Sequence, residues 1–341
     1  VTKRRRGVFF ILLSALLAFS LVGCADNNQR SSGKAQARSK LSVLKIPADD
    51  WSYVADKKGW LTKAFKKYGI KQVKLVQGTL GNETQLLDRN ELNVADRMIY
   101  PALLYKTQGA DIKIVSVSKH PDSKIAAIIV PKNSPVKTFA DLKGKKIASW
   151  RAGCPYMVLY EKAEKLNWKQ GKDWKYVNIP SSDSKTALIS KQVDAISAHP
   201  LGDIAALLAD GQAREIANPD KDSVYVNGGG VTVNFTTTKF AKEHPDIIRE
   251  YLKVQNSAQQ WILNNKDEAA EIVQKVTRTP VKISKYSWSQ IGSAWTYTSN
   301  DLSQIEEETT HLQDWLIKHN DIPKNKKIDV NSLFDPQFFK K

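Results

Sequence analysis

Cysteine is nearly absent from this chain: two residues, Cys24 and Cys154, among 341. Two thiols build neither a disulfide framework nor a four-cysteine zinc site. Histidine is scarce too. The five present, His120, His199, His244, His311 and His319, show no metal-ligand spacing, which argues against a metal cargo. No GxSxG, HExxH or P-loop motif occurs, so no signature of hydrolytic, metalloprotease or nucleotide chemistry is present. No internal repeat is evident. The apolar run from Val8 to Val22 holds about 15 residues, short of the ~20 that span a bilayer.

The composition is otherwise that of a globular protein. With 41% hydrophobic and 26% charged residues a sizeable core is available and wholesale disorder is excluded. The formal charge is +17. That balance suits a nucleic-acid binder, but the lysines are scattered along amphipathic segments and form no dense block. A solvated basic surface is the simpler reading, and no nucleic-acid partner is expected.

The N-terminus reads as an address. Lys3 to Arg6 form a basic region, the apolar run follows, and small residues lead to Cys24. This is the layout of a secretory signal peptide over residues 1–23. Leu21-Val22-Gly23-Cys24 resembles a bacterial lipobox, in which the cysteine thiol receives a diacylglycerol and becomes the new N-terminus. Two or more acyl chains anchor a protein stably where one does not. Residues 24–40 contain no apolar side chain larger than alanine between Ala25 and Lys40, and read as a flexible tether. If Cys24 is lipidated, Cys154 has no partner.

Folded sequence starts near Leu41. Short apolar runs alternate with helical spacing: strands at 41–46, 73–77, 91–95 and 112–117, and helices over 53–68, 83–90 and 99–107. A second block from Ala126 repeats the rhythm, with a strand at 145–148, a helix over 156–166, a strand in 174–179, a helix over 184–191, a strand at 193–197 and a helix over 201–210. Thr232 to Thr237 reads as a strand after a glycine-rich turn, and the chain beyond Lys239 as helical, with one long stretch from Pro245 to Gln274. Such alternation predicts largely parallel α/β sheets. Two α/β blocks joined by two crossings leave a cleft, where ligands sit outside the carboxyl ends of strands.

Several segments carry a resemblance in order and spacing. They are Val54 to Trp60 (VADKKGW), Asn133 to Ile147 (NSPVKTFADLKGKKI), Gln192 to Ala195 (QVDA), Phe240 to Asp246 (FAKEHPD) and Trp261 to Ala270 (WILNNKDEAA). Together they resemble the solute-binding proteins of ABC importers, in the group for aliphatic sulfonates, taurine, nitrate and thiamine-pyrimidine precursors. The resemblance covers most of Leu41 to about Thr277. It implies a two-lobed periplasmic-binding-protein fold (type II) with mixed sheets, flanking helices and a two-strand hinge. Lobe 1 is expected over 41–125 and 231–341, and lobe 2 over 126–230. It implies no enzymatic activity and no cofactor. The expected partners are a small-molecule ligand, an ABC permease with its ATPase and, through Cys24, the outer face of the bacterial cytoplasmic membrane. A monomer is expected.

The expected ligand contacts follow from residue chemistry and position within that resemblance. In Ser149 to Met157 (SWRAGCPYM), Cys154 is an N-cap and Pro155 the first helical residue. Gly153 permits close backbone approach, the helix start suits an anion, and Arg151 adds a bidentate contact. Where the family carries Gly-Ser, this chain has Gly153-Cys154, and a thiol is a weak donor. Trp51 with Tyr53, Tyr100, Trp150 and Tyr156 supplies an aromatic wall. Arg97, His199, Asn227 and Gly228 complete the set. Asp50 beside Asp49 fits an anionic ligand only if the carboxylates turn away or pair with Arg97 or Arg151; otherwise they suit an amine, in a zwitterion such as taurine or a cationic heterocycle. As an enzyme, the one candidate pair is Cys154 as nucleophile with His199 as base.

Overall fold

The computed structural model describes residues 41–118, 125–151, 153–291 and 301–339. The signal peptide, Cys24 and the tether lie outside them. The described strands are β1 (Val43–Pro47), β2 (Gln72–Val76), β3 (Ala95–Met98), β4 (Ile112–Ser118), β5 (Ala127–Pro131), β6 (Lys146–Ser149), β7 (Lys175–Asn178), β8 (Ala195–Ala198), β9 (Ala213–Ala217) and β10 (Thr232–Thr237). They form three sheets, ordered β1-β2, β3-β10-β4 and β7-β6-β8-β5-β9. The β1–β2 pair and the β7-β6-β8 run are parallel. Yet β10 runs antiparallel to both its neighbours, and β5 to both of its own. The sheets are therefore mixed, not largely parallel. Strands β5 and β10 follow the two passages between sheets, and the βαβ rhythm cannot report their direction.

Helices α1 (Asp50–Lys57) and α2 (Trp60–Lys66) replace the single helix expected over 53–68. Gly59 sits between them at φ +72°, a left-handed conformation at which a right-handed helix stops. Of the segment expected as a strand at 91–95, only Ala95 falls in a strand, β3; the rest is irregular chain beside β1, where Lys45 N donates to Asn93 Oδ1 at 2.8 Å and Asn93 N to the Lys45 carbonyl at 2.8 Å. Next come α3 (Glu83–Asp88) and α4 (Ile99–Thr107), then α5 (Pro155–Lys165) with Pro155 at its first turn, α6 (Ser181–Ile189), α7 (Gly202–Ala209) and α8 (Thr238–Glu243). The long helix from Pro245 divides into α9 (Pro245–Asn264) and α10 (Lys266–Thr277). Asn265 leaves helical geometry at ψ 48°, and its side-chain amide donates to the Trp261 carbonyl at 2.8 Å. Helices α11 (Val281–Ile291) and α12 (Leu302–Lys318) follow.

Period-two alternation on β5 divides the core. Ala127 and Ile129 join a cluster with α6 and α7, whereas Ile128 and Val130 face a larger one. That larger cluster includes α4, α5, β10, α12 and the C-terminal turns, so it draws on both expected lobes. The C-terminal chain also covers the outer edge of β4, where Asp335 N donates to the Ile114 carbonyl at 3.0 Å. The passage back from β9 to β10 contains a π-helical turn, Tyr225–Gly229. A Cβ on Gly230 would lie 2.7 Å from the Tyr225 ring and 3.0 Å from its carbonyl oxygen. Tyr225 is 2% exposed and has no room to yield. Gly230→Ala is expected to lower unfolding stability by ~1–3 kcal/mol in urea titration; an unchanged midpoint would show that this turn is looser than its packing.

Candidate functional site

One cavity of about 400 Å³ opens where the sheets approach each other, within the size range of small-molecule sites. Its floor is the carboxyl end of β1 and the start of α1: Ala48, Asp49, Asp50, Trp51 and Tyr53. Strand β3 adds Asp96 and Met98, β4 adds Ser118, and β10 adds Thr232. Ile125 and Leu201 reach it from the five-stranded sheet's side, and α9 supplies Gln255 and Gln259. Thr277 and Ile291 complete the described lining.

The charge is one-signed. Asp49, Asp50 and Asp96 line this cavity, and no Lys, Arg or His is among its described lining residues. Strand alternation explains part of this: Asp96 faces the cavity, while Arg97 turns to the opposite face. There its Nη1 meets Glu83 Oε1 at 2.6 Å and Tyr105 Oη at 3.3 Å. Asp49 and Asp50 thus pair with neither Arg97 nor Arg151. Asp50 accepts from Trp288 Nε1 at 2.8 Å. Burial raises its carboxyl above the ordinary range, and the tryptophan bond partly offsets this. Burial, the Asp96 and Asp50 charges and a hydrogen bond to Asp96 push Asp49 well up. Asp96 is raised by burial to about 6, held back by the bond from Asp49. Burial and the neighbouring carboxylates therefore hold protons on the Asp49–Asp96 pair to higher pH than on free carboxyls.

The sign of the linkage is fixed by these directions. The unfolded chain releases both protons near pH 4, whereas the folded chain holds Asp96's until about 6 and Asp49's to higher pH than the unfolded chain does. Stability contributed by the pair is fully present below pH 4 and erodes as pH rises. Asp96→Asn is expected to raise the melting temperature at pH 8, by on the order of 2 kcal/mol of stability, with little gain at pH 4. An equal shift at both pH values would exclude a raised titration of the pair. The groups around the pair are Asp50, Glu83 and Arg97.

Of the residues expected from sequence, Asp50, Trp51 and Tyr53 meet in this cavity. The others are placed elsewhere. Tyr100 is 1% exposed and donates to the Arg151 carbonyl at 2.7 Å. Arg151 binds the C-terminal segment, Nε to Asp321 Oδ1 at 2.7 Å and Nη2 to the His319 carbonyl at 2.8 Å, and on α5 its Nη1 donates to Tyr160 Oη at 3.1 Å. Tyr156 donates to Asp321 Oδ2 at 2.5 Å. Gly153 packs under Trp150 in the buried turn before α5. Asn227 and Gly228 lie in the π-helical turn, with Gly228 against Leu312 of α12.

Cys154 and His199 do meet, Sγ to Nε2 at 3.4 Å. His199 Nδ1 bonds the Ile125 carbonyl, which leaves Nε2 to accept from the thiol. Burial pushes the thiol up to about 12 and lowers the imidazole. The thiol is therefore protonated at neutral pH and is a poor nucleophile; with Cys154 buried and His199 half-buried, the pair is a tie behind the cavity wall.

The sequence reading missed Asp96, Met98, Gln255, Gln259 and Trp288 as site or supporting residues. One signal was available. Gln255 and Gln259 are 1% and 5% exposed on the same face of α9 as Ile248, Tyr251 and Ile262, and amides at core-phase positions need polar company. Among the described residues no group of His, Cys, Asp and Glu could hold a metal ion.

Two mixed-sheet α/β assemblies about a small-molecule cavity are the α/β periplasmic-binding-protein fold, with flanking helices. The structure is similar to the alkanesulfonate-binding protein SsuA from Xanthomonas axonopodis pv. citri bound to MOPS: TM-score 0.72, 19% identity, 86% of this chain and 98% of that one. It is also similar to the desulfurization enzyme DszB at TM-score 0.59 and 14% identity, over 87% of this chain and 97% of that one, so the fold alone does not decide activity. The chain belongs to the NMT1/THI5-like family, whose model matches residues 51–269, more than half its length. In sequence it is 26% identical over 339 residues to a Bacillus subtilis (strain 168) protein named for aliphatic sulfonate binding, covering 97% of this chain and 95% of the relative.

Proposed function

We propose that this chain is an extracytoplasmic solute-binding lipoprotein of an ABC import system and has no chemistry of its own. The observation that carries this is the cavity: it lies at the carboxyl end of β1, draws its walls from both sheet assemblies, and sits in a family whose sequence relatives are named as binding proteins. Lobe 1 is taken as residues 41–125 and 231–341, and lobe 2 as 126–230, closing on the ligand about the two passages. The five-stranded sheet supports the division, because all its strands come from 127–217. The cargo is a small sulfonate-type, taurine-like or nitrate-like solute, delivered to a membrane permease and its ATPase. A heteroaromatic thiamine-type precursor is the second reading, favoured by Trp51 and Tyr53 beside the acids.

Lipidation at Cys24 would hold the protein at the outer face of the cytoplasmic membrane, with residues 24–40 as tether. No described helix is long and apolar enough to cross a membrane. Cys24→Ser in the producing cell is expected to move the protein from the membrane fraction to the medium or periplasm. Retention of the variant on membranes would reject the lipid anchor. Isothermal titration of the full chain against a panel of sulfonates, taurine, nitrate and pyrimidines tests the binding function; no binding at millimolar ligand by any member would reject it.

A further inference from the structure

We infer that the solute carries a positively charged nitrogen, an alkylammonium or protonated heteroaromatic group, and that Asp50 with the Asp49–Asp96 pair forms its counter-charge. This rests on the solute-binding reading and narrows it: a sulfonate cargo would be a zwitterion, and a simple alkanesulfonate or nitrate would be rejected.

Four observations carry it. Three carboxyl groups line one cavity, and no basic side chain is among its described lining residues. Arg97, the nearest cation in sequence, is committed to Glu83 on the far face of β3. An anion placed here would meet like charge in a desolvated site, which costs several kcal/mol, whereas a cation relieves it. Second, the start of α1, the kind of helix end that elsewhere receives anions, is occupied by the chain's own Asp49 and Asp50. Its positive pole is already balanced.

Third, Gln259 lines the cavity at 5% exposure, and its Oε1 has no hydrogen-bond partner. Buried acceptors of this kind lack donors, and an ammonium brings up to three N–H groups. Fourth, the wall beside the acids is Trp51, Tyr53 and Met98, the aromatic and polarisable surroundings in which an organic cation is held. The carboxylates do not gather as a metal cage among the described residues, so an organic cation fits better than a metal ion.

The test uses matched compounds that differ in the nitrogen: taurine against ethanesulfonate, and benzylamine and 4-aminopyrimidine against toluene sulfonate and nitrate. Calcium chloride is included alone. Affinity for the full chain is read by calorimetry at pH 7. At least one amine-bearing member is expected to bind, its amine-free partner at least tenfold more weakly. Asp50→Asn, which keeps an acceptor for Trp288, is expected to weaken that binding tenfold or more. Asp96→Asn serves the same purpose should Asp50→Asn fail to fold. Ethanesulfonate binding as tightly as taurine, or tighter in Asp50→Asn, overturns the cation assignment while the solute-binding reading stands. Calcium binding with no response to any amine also overturns it, in favour of a metal site. Silence across the whole panel overturns both.

Discussion

Arg151→Met should lower the unfolding free energy by about 3 kcal/mol and leave ligand affinity unchanged. The guanidinium ties the turn before α5 to the C-terminal segment through Asp321 and the His319 carbonyl, and to α5 itself through Tyr160. It also lies over the Tyr156 and Tyr160 rings at 5.3 and 5.5 Å. The side chain of Asp321 is 7% exposed, and that of Arg151 33%. Removing the arginine leaves a buried carboxylate whose remaining bond is the Tyr156 hydroxyl. Breaking a buried pair from one side costs ~3–5 kcal/mol, and the partial exposure of Arg151 places this case at the low end. Urea titration gives the stability and calorimetry the affinity. A cycle with Asp321→Asn should recover part of the loss, because the uncompensated charge is gone. Loss of ligand affinity with stability intact would instead put Arg151 in the binding site.

The second large effect is expected at Trp288. It is fully buried on α11, and its indole N–H is the bond that holds Asp50 at the cavity floor. Trp288→Ala should cost ~3–5 kcal/mol through lost burial and the cavity left behind. Trp288→Phe keeps most of the ring but removes the donor. It should cost ~1–3 kcal/mol, the price of an unsatisfied buried acceptor. Because the indole bond opposes the effect of burial on Asp50, the phenylalanine variant should hold the Asp50 proton to higher pH. Its stability should then fall further than that of the parent as pH rises from about 4. Parallel pH–stability curves for the two proteins would show that Trp288 acts by packing alone.

Much of the framework was legible from residues. The turn Cys154-Pro155 begins a helix as read, since Pro155 lacks only an N–H that a first turn does not use. The strand at 232–237 and the helix over 99–107 stand where the pattern puts them. Asp49 and Asp50 were visible as discordant with an anion. Their partners were not. Asp96 lies 46 positions on from Asp50, and Trp288 is separated from Asp50 by 238; no local spacing relates them. Arg97 next to Asp96 looks like its counter-ion in sequence, but adjacent strand residues point to opposite faces.

The aromatic and basic residues of SWRAGCPYM show the same limit. Their chemistry suits an anion, and a helix start is an anion site when it is open. Here the C-terminal segment, which the resemblance hardly reaches, folds over it and supplies Asp321 and His319. By itself the sequence determined the alternation of elements and the family, because periodicity and local motifs are short-range properties of the chain. Which side chains surround the cavity, and with what net charge, was decided by the tertiary structure alone: strand parity and the packing of α9, α11 and the C-terminal chain set those contacts across tens to hundreds of residues.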